Sequence, residues 1–439
     1  MLRRTAWLLL PVLLSPACGD ASPPARTQPT AAKPTSAKPT TAKPAEPAAP
    51  AQPTPPALTS ASDPACTAAI PYLNAMRSAA AQPSPDLASQ RSAYVGTALQ
   101  TLIKASDAET GRTDDAALIA ALAPPAGAGL PGPDVPGGDS RLAVLNADLL
   151  LHGALSQRMR HNLEVAVEDK DPNKRGAAWS AARCAWEQGL RPLALALQTR
   201  SAELSSETGR DDATIVADID AVFEAGAATL AAGPIDDRVL KPGHETIEKT
   251  WFRVIHRELM AAATRAHESS DLAAARRALG LFQLIRDRLQ DRNTPGIAIV
   301  EAQLGGDPNK LDPAVVLREI DTALVKRARK YCSHALDTKL KGAEALTSVT
   351  EGLAYTRILL PGMRAAIRDP AFDPEAHLAT WSQFAEAAEQ ADDPEELKKL
   401  SAELVQWNCA YQQTLGIREC TATADEQVAP ARGKKPARP

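Results

Sequence analysis

From about residue 62 onward apolar residues recur at intervals of three and four, and runs that alternate apolar with polar are missing. That period puts the apolar side chains on one stripe of a helix, so the pattern predicts helices and no strand. After Asp171, the residues Trp179, Trp186, Leu190, Leu193 and Leu197 fall on one face. Leu272, Ala275, Leu279 and Phe282 do the same, and both stripes read as core. Asp171-Pro172, Asp312-Pro313, Asp373-Pro374 and Asp393-Pro394 mark helix starts. An Asp side chain there accepts from free N–H groups of the first turn, where the N–H that Pro lacks is not needed. The pattern predicts helices over 66–80, 86–106, 113–123, 139–168, 172–206, 211–232, 243–269, 271–291, 312–338, 342–368, 374–391 and 393–415.

Pro and Gly punctuate this series. Pro124 to Gly138 reads as an exposed loop, and Gly233-Pro234 with Pro242-Gly243 reads as a second break. The break divides the body into helical subdomains at 62–233 and 234–427. No steady 34-residue period supports a tetratricopeptide array. The expected fold is all-α: one or two antiparallel helix bundles after a disordered Pro-rich tether.

The ends of the chain differ from the body. Arg3 and Arg4 precede an apolar run, Ala6 to Leu14, then small residues and Cys18, the order of a secretory signal peptide over 1–17. The run is shorter than the roughly 20 apolar residues that span a bilayer. Residues 18–61 are mostly Ala, Pro, Thr, Ser and Lys, a composition that buries no core and favours an extended polyproline spacer. Residues 428–439 form a disordered basic tail.

Leu14-Ser15-Pro16-Ala17-Cys18 resembles the lipobox of bacterial lipoproteins, with Ser15 standing where that family usually has Leu. The resemblance implies cleavage before Cys18, lipidation of Cys18, and a membrane anchor facing the periplasm or cell surface. Gly19 is not the Asp that retains such proteins at the inner membrane, which leans toward the outer membrane. The architecture is also similar to imelysin-like envelope proteins. Their Gly-x-His-x-x-Glu motif is broken here, because Gly243 directly precedes His244.

Charge narrows the partners. The net charge is −4, yet the segments before residue 62 and after residue 427 each carry +4, which leaves the body at −12. An acidic body argues against nucleic acid, whose affinity rests on Lys and Arg meeting phosphates. Beyond Cys18 there are five cysteines, so one thiol at least stays unpaired, buried in a helix. Cys409 and Cys420 are close enough to pair across the turn at Gly416. No Cys-x-x-Cys supports a zinc ribbon or covalent haem.

Catalytic signatures are missing: no Gly-x-Ser-x-Gly elbow, no phosphate loop, no His-Glu-x-x-His. His244-Glu245-Thr246-Ile247-Glu248 is the nearest approach to the last. His244 and Glu248 fall within the apolar face of Ile247, Trp251, Val254, Ile255 and Leu259. Asp148 and His152, also four apart, lie along the stripe of Leu142, Leu145, Leu149 and Met159. Two such pairs from facing helices could hold one divalent metal. The plainer reading makes His244 a hydrogen-bonded core residue and Glu248 the partner of an Arg, with Arg357, in line with Leu346, Leu353 and Leu360, as the candidate. No cofactor is predicted outright. The leading functional expectation is a lipid-anchored cell-envelope module that binds or scaffolds an envelope protein without catalysis. A metal- or haem-binding envelope protein is one alternative. A hydrolase using carboxylates such as Glu245 and Glu248 is another, and a cleft holding a carboxylate of raised pKa would favour it.

Overall fold

A computed structural model describes residues 63–80, 87–123, 138–203, 212–337, 339–390, 393–417 and 420. The signal peptide, Cys18, the tether, residues 124–137 and the basic tail lie outside them. The described residues belong to one compact unit and contain helices and no strand. None of these helices is long and apolar enough to cross a membrane.

In chain order the helices are α1 (Pro64–Ala80), α2 (Leu87–Tyr94), α3 (Ala98–Thr110), α4 (Asp114–Ala121), α5 (Gly138–Glu168) and α6 (Pro172–Cys184). A π-helical turn, Ala185–Leu190, leads into α7 (Arg191–Glu203). Then come α8 (Ile215–Ala231), α9 (Asp237–Ser269), α10 (Leu272–Gln290) and α11 (Thr294–Gly305). The series ends with α12 (Pro313–His334), α13 (Ala343–Ala366), α14 (Pro374–Gln390) and α15 (Pro394–Thr414).

The Asp-Pro starts behave as their chemistry requires. Asp171, Asp312 and Asp393 accept from backbone N–H groups two residues on, and Asp373 accepts from the N–H of Glu375 at 2.9 Å. Other elements depart from expectation. The helix expected over 86–106 is two, because Gly96 takes a left-handed φ of +78° that ends α2. The helix expected from Gly243 starts at Asp237 instead, with Asp236 accepting from the N–H of Arg238 at 2.9 Å. Pro242 and Gly243 therefore lie inside α9. A Cβ on Gly243 would stand 3.0 Å from Val222, so this glycine lets α9 close on α8. Helix α11 has no counterpart in the expected series. The Asn293 side chain caps this helix by accepting from the Gly296 N–H.

Helix α9 is the axis of the body and packs on α13, α10, α8 and α5. One apolar core extends from Cys66 to Tyr411 and takes residues from both sides of the turn at Gly233-Pro234. Trp179, Trp186 and Trp251 are at most 1% exposed. Each spends its indole N–H on a partner: the Phe223 carbonyl, the Asp220 carboxylate and the Ser156 hydroxyl. Two disulfides, Cys66–Cys184 and Cys409–Cys420, join described residues, and Cys332 is free and buried in α12. Burial pushes the Cys332 thiol up, which keeps it protonated and inert.

His377 on α14 is 1% exposed, and neither ring nitrogen has a protein partner. Burial lowers its pKa to about 4, so the folded protein holds it neutral. A folded pKa below the unfolded value of about 6.5 gives stability that is complete above that value and lost as pH falls toward 4. The loss at pH 4 is about 3 kcal/mol, at roughly 1.4 kcal/mol per unit. Urea unfolding at pH 7 and pH 4 checks this, since His377→Leu should lose less than the natural chain by that amount. Equal losses would show that His377 protonates without opposing the fold.

Candidate functional site

On α9 the residues His244, Glu245, Glu248 and Lys249 share one face, as positions four apart do in a helix. They form the floor of a cleft of 1070 Å³. Its walls come from α5 (Arg160, Glu164), the end of α10 (Arg288), α12 (Arg327, Tyr331) and the start of α13 (Thr347, Glu351). The lining is dominated by charged side chains of both signs.

Lys249 is at the centre and 2% exposed. Its Nζ lies 2.7 Å from Glu245, in direct contact with Glu248, and 3.6 Å from Glu351. The rings of Phe252 and Tyr355 stand 5.6 and 5.8 Å from the same ammonium. Burial alone would discharge Lys249, but Glu248, Tyr355, Glu245 and Glu351 overcome it and hold the ammonium well above its ordinary range. A lysine held charged in this way is neither a nucleophile nor a Schiff-base former.

Glu248 is the most heavily compensated acid. It accepts from Arg160 at 2.6 Å and from Arg288 at 3.0 Å, besides Lys249. Burial raises its pKa, and these cations together push it well below the ordinary carboxylate range. Glu351 goes the other way. Burial and the nearby charges of Glu245 and Glu248 raise it, and Lys249 and a hydrogen bond with Tyr331 offset this only in part. Burial makes His244 less basic, so it is neutral at pH 7, with Nδ1 3.7 Å from Glu245. The Tyr355 hydroxyl is buried without a protein partner, and burial pushes its pKa up to about 12.

Of the four residues considered as metal ligands, His244 and Glu248 line the cleft, and Asp148 and His152 do not. The ring Nδ1 of His152 donates to the Asp148 carbonyl at 2.8 Å and lies 3.4 Å from its carboxylate. Among the described residues no group of three or more His, Cys, Asp or Glu side chains could hold a metal ion. Asp148, His152, His244 and Glu248 are therefore not gathered into one ligand set. Glu248 carries the physical reason, since three cations already occupy its oxygens. Glu245 lines the cleft with it, while Cys409 and Cys420 form their disulfide elsewhere.

Lys249, Glu351, Arg160, Arg288 and Tyr331 are central here and were not singled out from the sequence. Lys249 had a signal: a charged residue beside Glu248 in the stretch that carries Ile247 and Trp251. The others come from distant segments. Comparison with protein-family models, with curated proteins and with solved structures finds no match.

Proposed function

We propose that this chain is a lipid-anchored binding module of the bacterial cell envelope, and that the polar cleft is its ligand site. One observation carries the reading. Lys249, Glu248 and Glu351 are ionisable side chains gathered below a cleft of 1070 Å³. A buried ion pair stabilises a fold less than well-packed apolar residues would, so stability gives little reason to keep it there. The buried His256–Asp321–Tyr411 group lines no part of this cleft. Among the described residues the large exposed apolar side chains are Val95, Leu195 and Ile299, on three separate segments. The described surface thus favours the cleft over an apolar docking face for an envelope protein.

Two features support the envelope setting: the lipobox-like segment ending at Cys18, and two disulfides that suit an oxidising compartment. Cys18→Ser should move the chain from the detergent phase to the aqueous phase on phase partition of cells making it. Unchanged partition would sink the lipid anchor. The binding reading is tested by native mass spectrometry of the full chain extracted from its own membrane. The expected spectrum shows the chain with a small polar adduct, and a spectrum of bare chain alone would overturn the reading.

Glu351 favours a second reading, acid–base hydrolysis. A carboxyl that keeps its proton more readily than usual, in one cleft with a neutral His244, has the character of a general acid. Its signature is a product released from envelope extract by the natural chain and not by Glu351→Gln.

A further inference from the structure

Two groups in the cleft have unused capacity, and their charges are opposite. Glu351 is the outlying member of the three carboxylates around Lys249, at 3.6 Å where Glu245 stands at 2.7 Å and Glu248 touches. One ammonium is shared by three acids, and the nearer two take most of it. Glu351 is 17% exposed and faces the cleft, so a second cation could reach it. Arg288 is the counterpart. Its side chain is 40% exposed and lines the cleft, and one terminal nitrogen donates to Glu248. A guanidinium with donors to spare is suited to a carboxylate.

We infer, resting on the binding reading above, that the cleft takes a short zwitterion, with its ammonium on Glu351 and its carboxylate on Arg288. The contacts from Glu351 through Lys249 and Glu248 to Arg288 set the reach. That chain keeps the two anchors within roughly 11 Å, the span of about three extended residues at about 3.4 Å each. The ligand class is therefore a peptide of up to about three residues with both termini free. His244, neutral beside Glu245, adds no competing charge.

The test is calorimetric titration of the folded full chain with tri-alanine, N-acetyl-tri-alanine and tri-alanine amide. Free tri-alanine should bind, and each cap should weaken binding at least tenfold, since each removes one charge-assisted contact. Glu351→Gln should erase the penalty of the acetyl cap and leave that of the amide, and Arg288→Gln should do the reverse. The peptide comparison on the natural chain stands even if a variant misfolds. Capped peptides that bind as well as the free one would overturn the zwitterion while leaving the cleft as a binding site. Binding of none of the three would overturn the peptide-length ligand, and the extracted chain's mass spectrum then decides the wider reading on its own.

Discussion

Replacing Lys249 by Met is expected to destabilise the protein by about 3–5 kcal/mol at pH 7, the cost of leaving a buried charge without its partner. Glu248 is 1% exposed and would keep only Arg160 and Arg288, while Glu245 and Glu351 would face each other with no ammonium between them. The pH dependence separates this from lost packing. In the natural chain Glu248 is held well below its ordinary pKa. A depressed folded value gives stability that is present above the unfolded pKa of about 4.3 and lost as pH falls through the folded one. Without Lys249 the folded value rises, so Glu248 protonates earlier and the variant's deficit shrinks on acidification. Urea unfolding at pH 7 and pH 4 should show a large gap at the first and a small one at the second. A gap that is the same at both would mean that Lys249 matters through its methylenes and not its charge.

The helical class could be read from the sequence because its signals are local. A three-and-four period, Asp before Pro, and a lack of alternating β-branched runs each act within a few residues. Where local signals conflict, the tertiary context decides. Pro242-Gly243 reads as a break, yet it continues α9 because Asp236 has already capped the helix and Gly243 admits Val222 at close range. Helix α11, absent from the expected series, opens at Thr294 because Asn293 supplies the cap. The π-helical turn after Cys184 has no periodic signature at all. Its Gly189 carbonyl is taken by Arg77 from α1, 112 residues earlier.

The site was legible only on α9. His244 and Glu248 stood out as polar residues on an apolar stripe, and the inward Glu does find arginines, but they are Arg160 and Arg288 and not the expected Arg357. Which Arg, and that a lysine next in the chain would join them, depends on α5 and α10 meeting α9. Arg160 is 88 residues away in sequence. Glu351 and Tyr331 reach the same cleft from α13 and α12, and nothing in their own segments marks them. A metal ligand set needs vacant oxygens, and counting acids and histidines along the chain does not reveal that the cations have already taken them.

Removing the Cys66–Cys184 disulfide by paired replacement with Ala is expected to lower stability by about 5 kcal/mol, since a loop of this length is costly to close in the unfolded chain. The cysteines are 118 residues apart in sequence, 1% and 8% exposed, and tie α1 to the end of α6. Cys409–Cys420 closes a separation of only 11 and should be worth less, about 2–3 kcal/mol by the same reasoning. The two also differ in what they hold. Arg77 and Arg158 add contacts between α1, the π-helical turn and α5: Arg77 donates to Gly189 at 2.6 Å, and Arg158 pairs with Asp63 at 2.7 Å. Loss of the long cross-link should therefore loosen α1 first, with faster hydrogen exchange there than in α9. Urea midpoints of the two paired variants give the ranking, and exchange rates locate the change. If the shorter loop proved the more stabilising, loop entropy would not be the governing term. Native-state packing around Cys420, which Arg329 approaches at 3.2 Å, would then account for the difference.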